Sequence, residues 1–274
     1  MELYEYARPD IMAGKTILYL HGFASSGQNG TVRAMTTLLP ETRIVAPDIP
    51  VEPEEALTFL KDLCAKENPD LIIGASMGGM YAELLRGFDR ILFNPAFFLA
   101  DTLQKNNGLG RQEFHNPRRD GQNSFLVTKG LLESFREVSS HCFENMPDNA
   151  SDPSSFGEMA DERDHVYGMF GTHDNFVTGT FDVFRKYYAN AIHFEGEHYM
   201  DDSVLLHSVL PVIERIDDKQ EKRSKPVMFI ALTDVLLDLR NGVSRGKSIE
   251  EMEPYGSAVK AFAALTRNYS PYVL

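Results

Sequence analysis

The stretch that most limits what this chain can become runs from Pro69 to Tyr81. Leu71, Ile72 and Ile73 form an apolar run. Gly74-Ala75-Ser76-Met77-Gly78 follows, and Met80, Tyr81, Leu84 and Leu85 then recur at helical spacing. The order is strand, tight turn, helix, with a serine at the apex: the G-x-S-x-G nucleophile elbow. A turn this sharp strains the serine backbone and leaves no room for flanking side chains, so Gly74 and Gly78 remove that bulk. Ser76 Oγ is then presented at the carboxyl end of a strand. Behind it, the exposed N–H groups and dipole of the helix start suit a developing negative charge.

The apolar runs before and after this elbow alternate with helical patterns. Lys15–Leu20 reads as a buried strand, Asn29–Leu39 as a helix stopped by Pro40, and Thr42–Ala46 as a short strand. Glu54–Lys66 is an amphipathic helix, the elbow follows, and Arg90–Phe93 is a fourth strand. A β-α-β-α-β-α-β order implies a mostly parallel sheet with helices on both faces, a three-layer α/β fold. Asp101–Arg163 breaks the pattern. It is polar, with one clear helical stretch near Phe125–Val138, and it leaves the sheet and returns; Pro147–Ser155 reads as disordered. The sheet resumes at His165–Phe170, a helix follows, Ala191–Phe194 is a last strand, and Val204–Ile216 closes the domain. Domain boundaries are therefore set at 1–216, with an insertion at about 101–163, and at 217–274 for a C-terminal extension. The extension opens on a charged linker, Asp217–Pro226. Beyond it Val227–Leu239 and Ser257–Leu265 are apolar enough to dock on the first domain, to add an edge or helical element, or to join two copies into a homo-oligomer.

Bulk properties narrow the partners. A chain of 274 residues can bury a full core. Its net charge of −13 argues against nucleic acid. Cys64 and Cys142 can pair, but their spacing fits neither a metal site nor a redox motif. No apolar run reaches the length of a membrane span, and Met1–Tyr6 lacks the basic and apolar regions of a secretion signal. The expectation is a cytoplasmic protein without a membrane partner.

Three residues at strand ends carry the chemistry. Ser76 is the candidate nucleophile, Asp174 (in Gly171-Thr172-His173-Asp174) the candidate acid, and His198 (in Glu195-Gly196-Glu197-His198) the candidate base. Each follows a parallel strand, so all three converge on one edge of the sheet. An imidazole that titrates near neutrality can take the serine proton, and a carboxylate can fix its tautomer. Of the other histidines, His21 reads as a structural support of its loop, His193 as packed within its strand and His165 as lying at the wrong strand end. A metal reading would use His173, Asp174 and His198, but no paired-histidine motif supports it, and no metal is assigned. Asp48, after the second strand, reads as a turn cap that could also line the pocket.

With these residues in place, the chain resembles the small bacterial esterases of the YqiA type, a compact branch of the α/β-hydrolases. The stretches that carry the resemblance are Leu18–Ser26 with its H-G-F-x-S-S loop, Ala46-Pro47-Asp48, Ile73–Ala82, Phe93-Asn94-Pro95-Ala96, Gly171–Asp174 and Glu195–His198. The order Ser, Asp, His is also the α/β-hydrolase order. The resemblance implies an α/β-hydrolase fold in which the insertion after the fourth strand is a cap. It implies a Ser76-His198-Asp174 triad, and an oxyanion hole made by the backbone N–H groups of Phe23 and Met77. It further implies hydrolysis of a small-molecule carboxylic ester or acyl thioester, without a cofactor, in the cytoplasm. Substrate-binding residues stay unassigned, because the insertion is longer than in the compact family. Two other readings remain open: a non-catalytic binding protein on the same fold, and an acyltransferase or amidase that uses the same three residues.

Overall fold

The computed structural model describes residues 2–106, 108–148, 159–225, 227–230, 258, 265 and 269–273. It divides into two compact units, Met1–Asp217 and Asp218–Leu274. The first is built on six strands: β1 Thr16–Leu20, β2 Arg43–Val45, β3 Leu71–Ala75, β4 Arg90–Phe93, β7 Val166–Gly171 and β8 Asn190–Phe194. Their order across the sheet is β2-β1-β3-β4-β7-β8, and every pairing is parallel. The elbow strand β3 is therefore interior, between β1 and β4.

The strands read as near-continuous apolar runs because both faces are covered. Alternate residues serve opposite layers. Leu18, Leu20, Ile72 and Leu92 pack with Ala56 and Leu60 of helix α2 (Pro53–Glu67), Met80 of α3 (Met77–Leu84) and Phe184 of α7 (Thr180–Tyr187). Ile17, Tyr19, Ile73, Ile91 and Phe93 pack on the other side with Met35 and Leu38 of α1 (Gly30–Leu38) and with the closing helix. That closing helix is a short α8 (Asp202–Val204), a π-helical stretch Leu205–Val209 and α9 (Leu210–Gln220). The expected three-layer α/β arrangement is present.

Three expectations change in detail. The insertion is more structured than its polarity suggested. It comprises α4 Leu99–Lys105, an antiparallel hairpin of β5 Gly110–Glu113 and β6 Ser124–Val127, α5 Lys129–Ser140 and α6 Met159–Asp164. The helical stretch expected near Phe125–Val138 begins later, because Thr128 caps α5 through its hydroxyl, which accepts from Leu131 N–H at 3.0 Å. The charged linker expected from Asp217 begins inside α9. Asp217 is buried there, with Lys15 Nζ 2.7 Å from its carboxylate. The expectations for Pro147–Ser155, Val227–Leu239 and Ser257–Leu265 fall largely outside the described residues. In the second unit, β9 Val227–Ile230 and β10 Ser270–Val273 form a parallel pair. Cys64 and Cys142 are free thiols. Among the described residues, no helix is long and apolar enough to cross a membrane.

Candidate active site

Sterics fix the elbow. A Cβ at Gly74 would lie 2.2 Å from Gly78 O, and one at Gly78 would lie 2.1 Å from Leu20 O, so neither position admits a side chain. Ser76, between them, has φ 55° and ψ −114°. A non-glycine residue in that region costs on the order of 1–3 kcal/mol and persists only when its surroundings over-determine it. The surroundings do: Ser76 N–H donates to Phe93 O (2.9 Å), and Ser76 O accepts from Gly79 N–H (2.9 Å), Met80 N–H (3.2 Å) and Ala96 N–H (3.0 Å).

Ser76 Oγ lies 3.0 Å from His198 Nε2, and His198 Nδ1 lies 2.8 Å from Asp174 Oδ2. An ionised carboxylate only accepts, so Nδ1 carries the ring proton and Nε2 is free to accept from the serine hydroxyl. The second oxygen of Asp174 accepts from Phe176 N–H (2.8 Å) and Val177 N–H (3.1 Å). Burial alone would raise the Asp174 carboxyl. The hydrogen bond and charge of His198, with the two backbone donors, outweigh it and hold the group below the ordinary carboxylate value. Phe176 stacks on the His198 ring at 5.3 Å and Tyr199 meets it edge-on at 5.5 Å. Three residues separated by up to 122 positions thus form one hydrogen-bonded line.

Asn94 is the residue whose role the sequence did not give up. It is buried, with φ 41°. Its Oδ1 accepts from Gly171 N–H at 2.8 Å, at the start of the loop that carries Asp174. Its Nδ2 donates to Glu197 O (3.0 Å) and His198 O (3.2 Å), in the loop that carries the imidazole. One amide therefore ties both loops to the end of β4. Ala96, two residues on, pins the serine carbonyl, and Pro95 packs where a Cβ on Gly79 would lie 2.9 Å from it. Asn94-Pro95-Ala96 is the common anchor of all three side chains.

The H-G-F-x-S-S loop lies against the serine: a Cβ at Gly22 would sit 3.4 Å from Ser76 Cβ and 3.9 Å from Oγ. Phe23 follows directly. Met77 is the first residue of α3, where an N–H has no acceptor within the helix. The insertion straps this loop down. His115 N–H donates to Ala24 O (2.8 Å), Ser26 Oγ to Pro117 O (2.7 Å) and Asn116 Nδ2 to Ser25 Oγ (3.2 Å). Asp48 completes the strap, accepting from Gly27 N–H at 2.8 Å and Arg119 N–H at 2.6 Å. Asp48 is thus a tie between two loops.

His21 supports the loop from inside. Its Nδ1 donates to Gly22 O at 2.8 Å and its Nε2 accepts from Ile49 N–H at 3.1 Å, so the buried ring is neutral. Burial pushes its pKa down to about 4. The unfolded chain takes up this proton near pH 6.5 and the folded protein does so only near pH 4. Stability from His21 is therefore complete above pH 6.5 and is lost as the pH falls toward 4, by about 3 kcal/mol. Asp174, whose carboxyl is also held low, adds a loss in the same direction at lower pH. Urea unfolding at pH 7.0, 6.0 and 5.0 is expected to give a falling stability, and His21→Gln to remove most of that slope.

His193 is exposed and packs on Phe181, with ring centroids 4.1 Å apart. His165 Nδ1 meets Asp89 at 2.6 Å. His173 Nδ1 faces Thr172 Oγ1 at 2.9 Å and Glu195 at 3.3 Å. Among the described residues, no group of three His, Cys, Asp or Glu side chains is placed to hold a metal ion. Both nitrogens of His198 are already engaged.

The sheet order, the elbow on β3 and the insertion between β4 and β7 define a protein of the α/β-hydrolase fold. Its structure is similar to that described as LipS and LipT, two metagenome-derived lipolytic enzymes, with a TM-score of 0.50 and 12% identity over 77% of this chain and 95% of that one. Est1E from Butyrivibrio proteoclasticus with bound ferulic acid aligns at TM-score 0.48 and 14% identity, over 79% and 92% of the two chains. The thioesterase domain from the curacin biosynthetic pathway aligns at 0.43 and 13%, over 77% and 92%. Residues 16–203 match the model of the uncharacterised protein family UPF0227, and the chain belongs to that family. The family match agrees with the YqiA-type resemblance and spans every strand of the six-stranded sheet.

Proposed function

We propose that the chain is a serine hydrolase that cleaves a small-molecule carboxylic ester or acyl thioester through an acyl-enzyme. The observation that carries the reading is the line from Ser76 Oγ through His198 to Asp174, with contacts of 3.0 and 2.8 Å. In this reading Ser76 Oγ attacks the substrate carbonyl carbon while His198 Nε2 takes its proton. Asp174 holds the tautomer and stabilises the imidazolium. The carbonyl oxygen gains negative charge between the N–H groups of Phe23 and Met77, each donor contributing about 3 kcal/mol to the barrier reduction. The imidazolium then protonates the leaving alcohol or thiol. Water repeats the sequence on the acyl-serine and frees the acid. No step calls for a cofactor.

Residues 1–216 make up the hydrolase domain in this account, 101–163 its cap and 217–274 an extension. Free Cys64 and Cys142 suit a reducing, cytoplasmic setting. Ser76→Ala is expected to lower hydrolysis of p-nitrophenyl butanoate by about 10⁴-fold or more, with an unchanged melting temperature. Activity of the variant within tenfold of the parent overturns the assignment.

A further inference from the structure

His198 carries two aromatic contacts that a hydrogen-bonded triad does not by itself require. Phe176 stacks on the imidazole with ring centroids 5.3 Å apart and planes 28° from parallel. Tyr199 meets the imidazole edge-on at 5.5 Å and Phe176 at 6.4 Å. Phe176 is 52% exposed and Tyr199 68%, so burial is not what holds either ring there. The pair they adjoin is the reverse: the His198 side chain is 10% exposed and that of Asp174 6%. A closed circuit joins these groups. Asp174 Oδ2 faces His198 Nδ1, Asp174 Oδ1 accepts from Phe176 N–H, and the Phe176 ring returns to the imidazole. One carboxylate thus orients the histidine and places the backbone of the residue that lies on it.

Resting on the hydrolase reading above, we propose that Phe176 is a positioning residue of the reaction: its ring fixes the plane of His198 and keeps water from the bond to Asp174. The contacts to Ser76 and Asp174 hold the imidazole at its two nitrogens. They leave one soft motion, a tilt about the line that joins them. Tilt matters because the lone pair of Nε2 lies in the ring plane, and a hydrogen bond weakens steeply as it leaves good alignment. A ring stacked on one face blocks tilt toward that face, and aromatic pairs at this separation attract beyond the area they bury. Tyr199 braces the stacked pair from its edge. Excluding water also strengthens the His198–Asp174 bond, since a hydrogen bond gains electrostatically where the local dielectric is low.

The test compares the wild type with Phe176→Ala, Phe176→Leu and Phe176→Tyr. Kinetics are measured on methyl butanoate, which has no ring to stack on residue 176. The second readout is the far-downfield proton resonance of His198 Nδ1–H, assigned by its loss in His198→Ala. Phe176→Ala is expected to lower kcat by about 10- to 100-fold with KM within about twofold of wild type. Phe176→Leu is expected to fall between, and Phe176→Tyr, which keeps a stacking ring, to recover kcat to within about threefold. The Nδ1 proton line is expected in the wild type and in Phe176→Tyr, and to broaden through exchange with water in Phe176→Ala. A Phe176→Ala protein with kcat within about threefold of wild type and the line intact overturns the inference. So does a rise in KM alone, which would place the ring against substrate instead. If Phe176→Ala does not fold, Phe176→Leu against Phe176→Tyr decides by the same criteria. Fluorophosphonate labelling of the wild type runs alongside. Labelling of Ser76 with kcat unmoved in the variants removes the positioning role alone. A wild type that takes no label removes the hydrolase reading and this role with it.

Discussion

Asp174→Asn is expected to lower kcat for ester hydrolysis by about 10⁴-fold while the protein stays folded. The reason lies in how the carboxylate is held. One oxygen accepts from Phe176 and Val177 N–H, and the other faces His198 Nδ1. An asparagine must keep its carbonyl oxygen toward the two backbone donors. Its NH₂ is then turned toward the imidazole, where it donates to Nδ1. That bond selects the opposite tautomer, with the proton on Nε2, and Nε2 can no longer accept from Ser76. Packing around the site is preserved, so the loss falls on kcat, with KM and the melting temperature little changed. A variant that keeps more than about a tenth of wild-type kcat would mean that the carboxylate does not set the tautomer.

Asn94→Ala is expected to act on both stability and rate. The side chain is buried and bonded to Gly171 N–H, Glu197 O and His198 O. Its removal leaves three backbone groups without their partner, each costing about 1–3 kcal/mol where water cannot replace it. The left-handed backbone, with φ 41°, suits asparagine better than alanine and adds to the loss. Together these approach the total stability of about 5–15 kcal/mol of a typical domain, so a fall in melting temperature of well over ten degrees is expected. The loops that carry Asp174 and His198 lose their shared tie, and a displacement of about 1 Å can cost about 100-fold in rate. The expected kinetic signature is a fall in kcat with KM nearly constant. Asn94→Asp separates the roles: it keeps the acceptor for Gly171 but points an oxygen at two carbonyls, so it should be no more active than Asn94→Ala. If both variants lower stability and leave kcat intact, Asn94 is a structural residue only.

The sheet and the three strand-end residues were legible in the sequence because their causes are local. Buried parallel strands must be continuous apolar runs, and a serine turn this tight must be flanked by glycines. The order of Ser76, Asp174 and His198 then follows from which strand precedes each. The internal structure of the insertion was not legible. Gly110–Glu113 alternates half-buried and exposed positions but carries no apolar residue to mark the alternation, and the ten residues between it and Ser124–Val127 are held by bonds to Ala24, Ser26 and Asp48, about 70–90 positions earlier. No periodicity records such contacts. Asn94 stood in a motif that carried the resemblance, yet its partners lie 77 to 104 positions away, so its work could be read only from the folded chain. The π-helical stretch at Leu205–Val209 likewise leaves the apolar pattern of the closing helix intact and was invisible for that reason.

The central claim is that Ser76 is an activated nucleophile in the folded protein. Its most direct test is to treat the full chain with a fluorophosphonate at pH 7.5, measure the intact mass and map the modified peptide. The account predicts one adduct per chain, on Ser76, that disappears in Ser76→Ala and is slowed at least about 100-fold in His198→Ala. A folded wild-type protein that takes up no adduct, or carries it on another residue, would contradict the account.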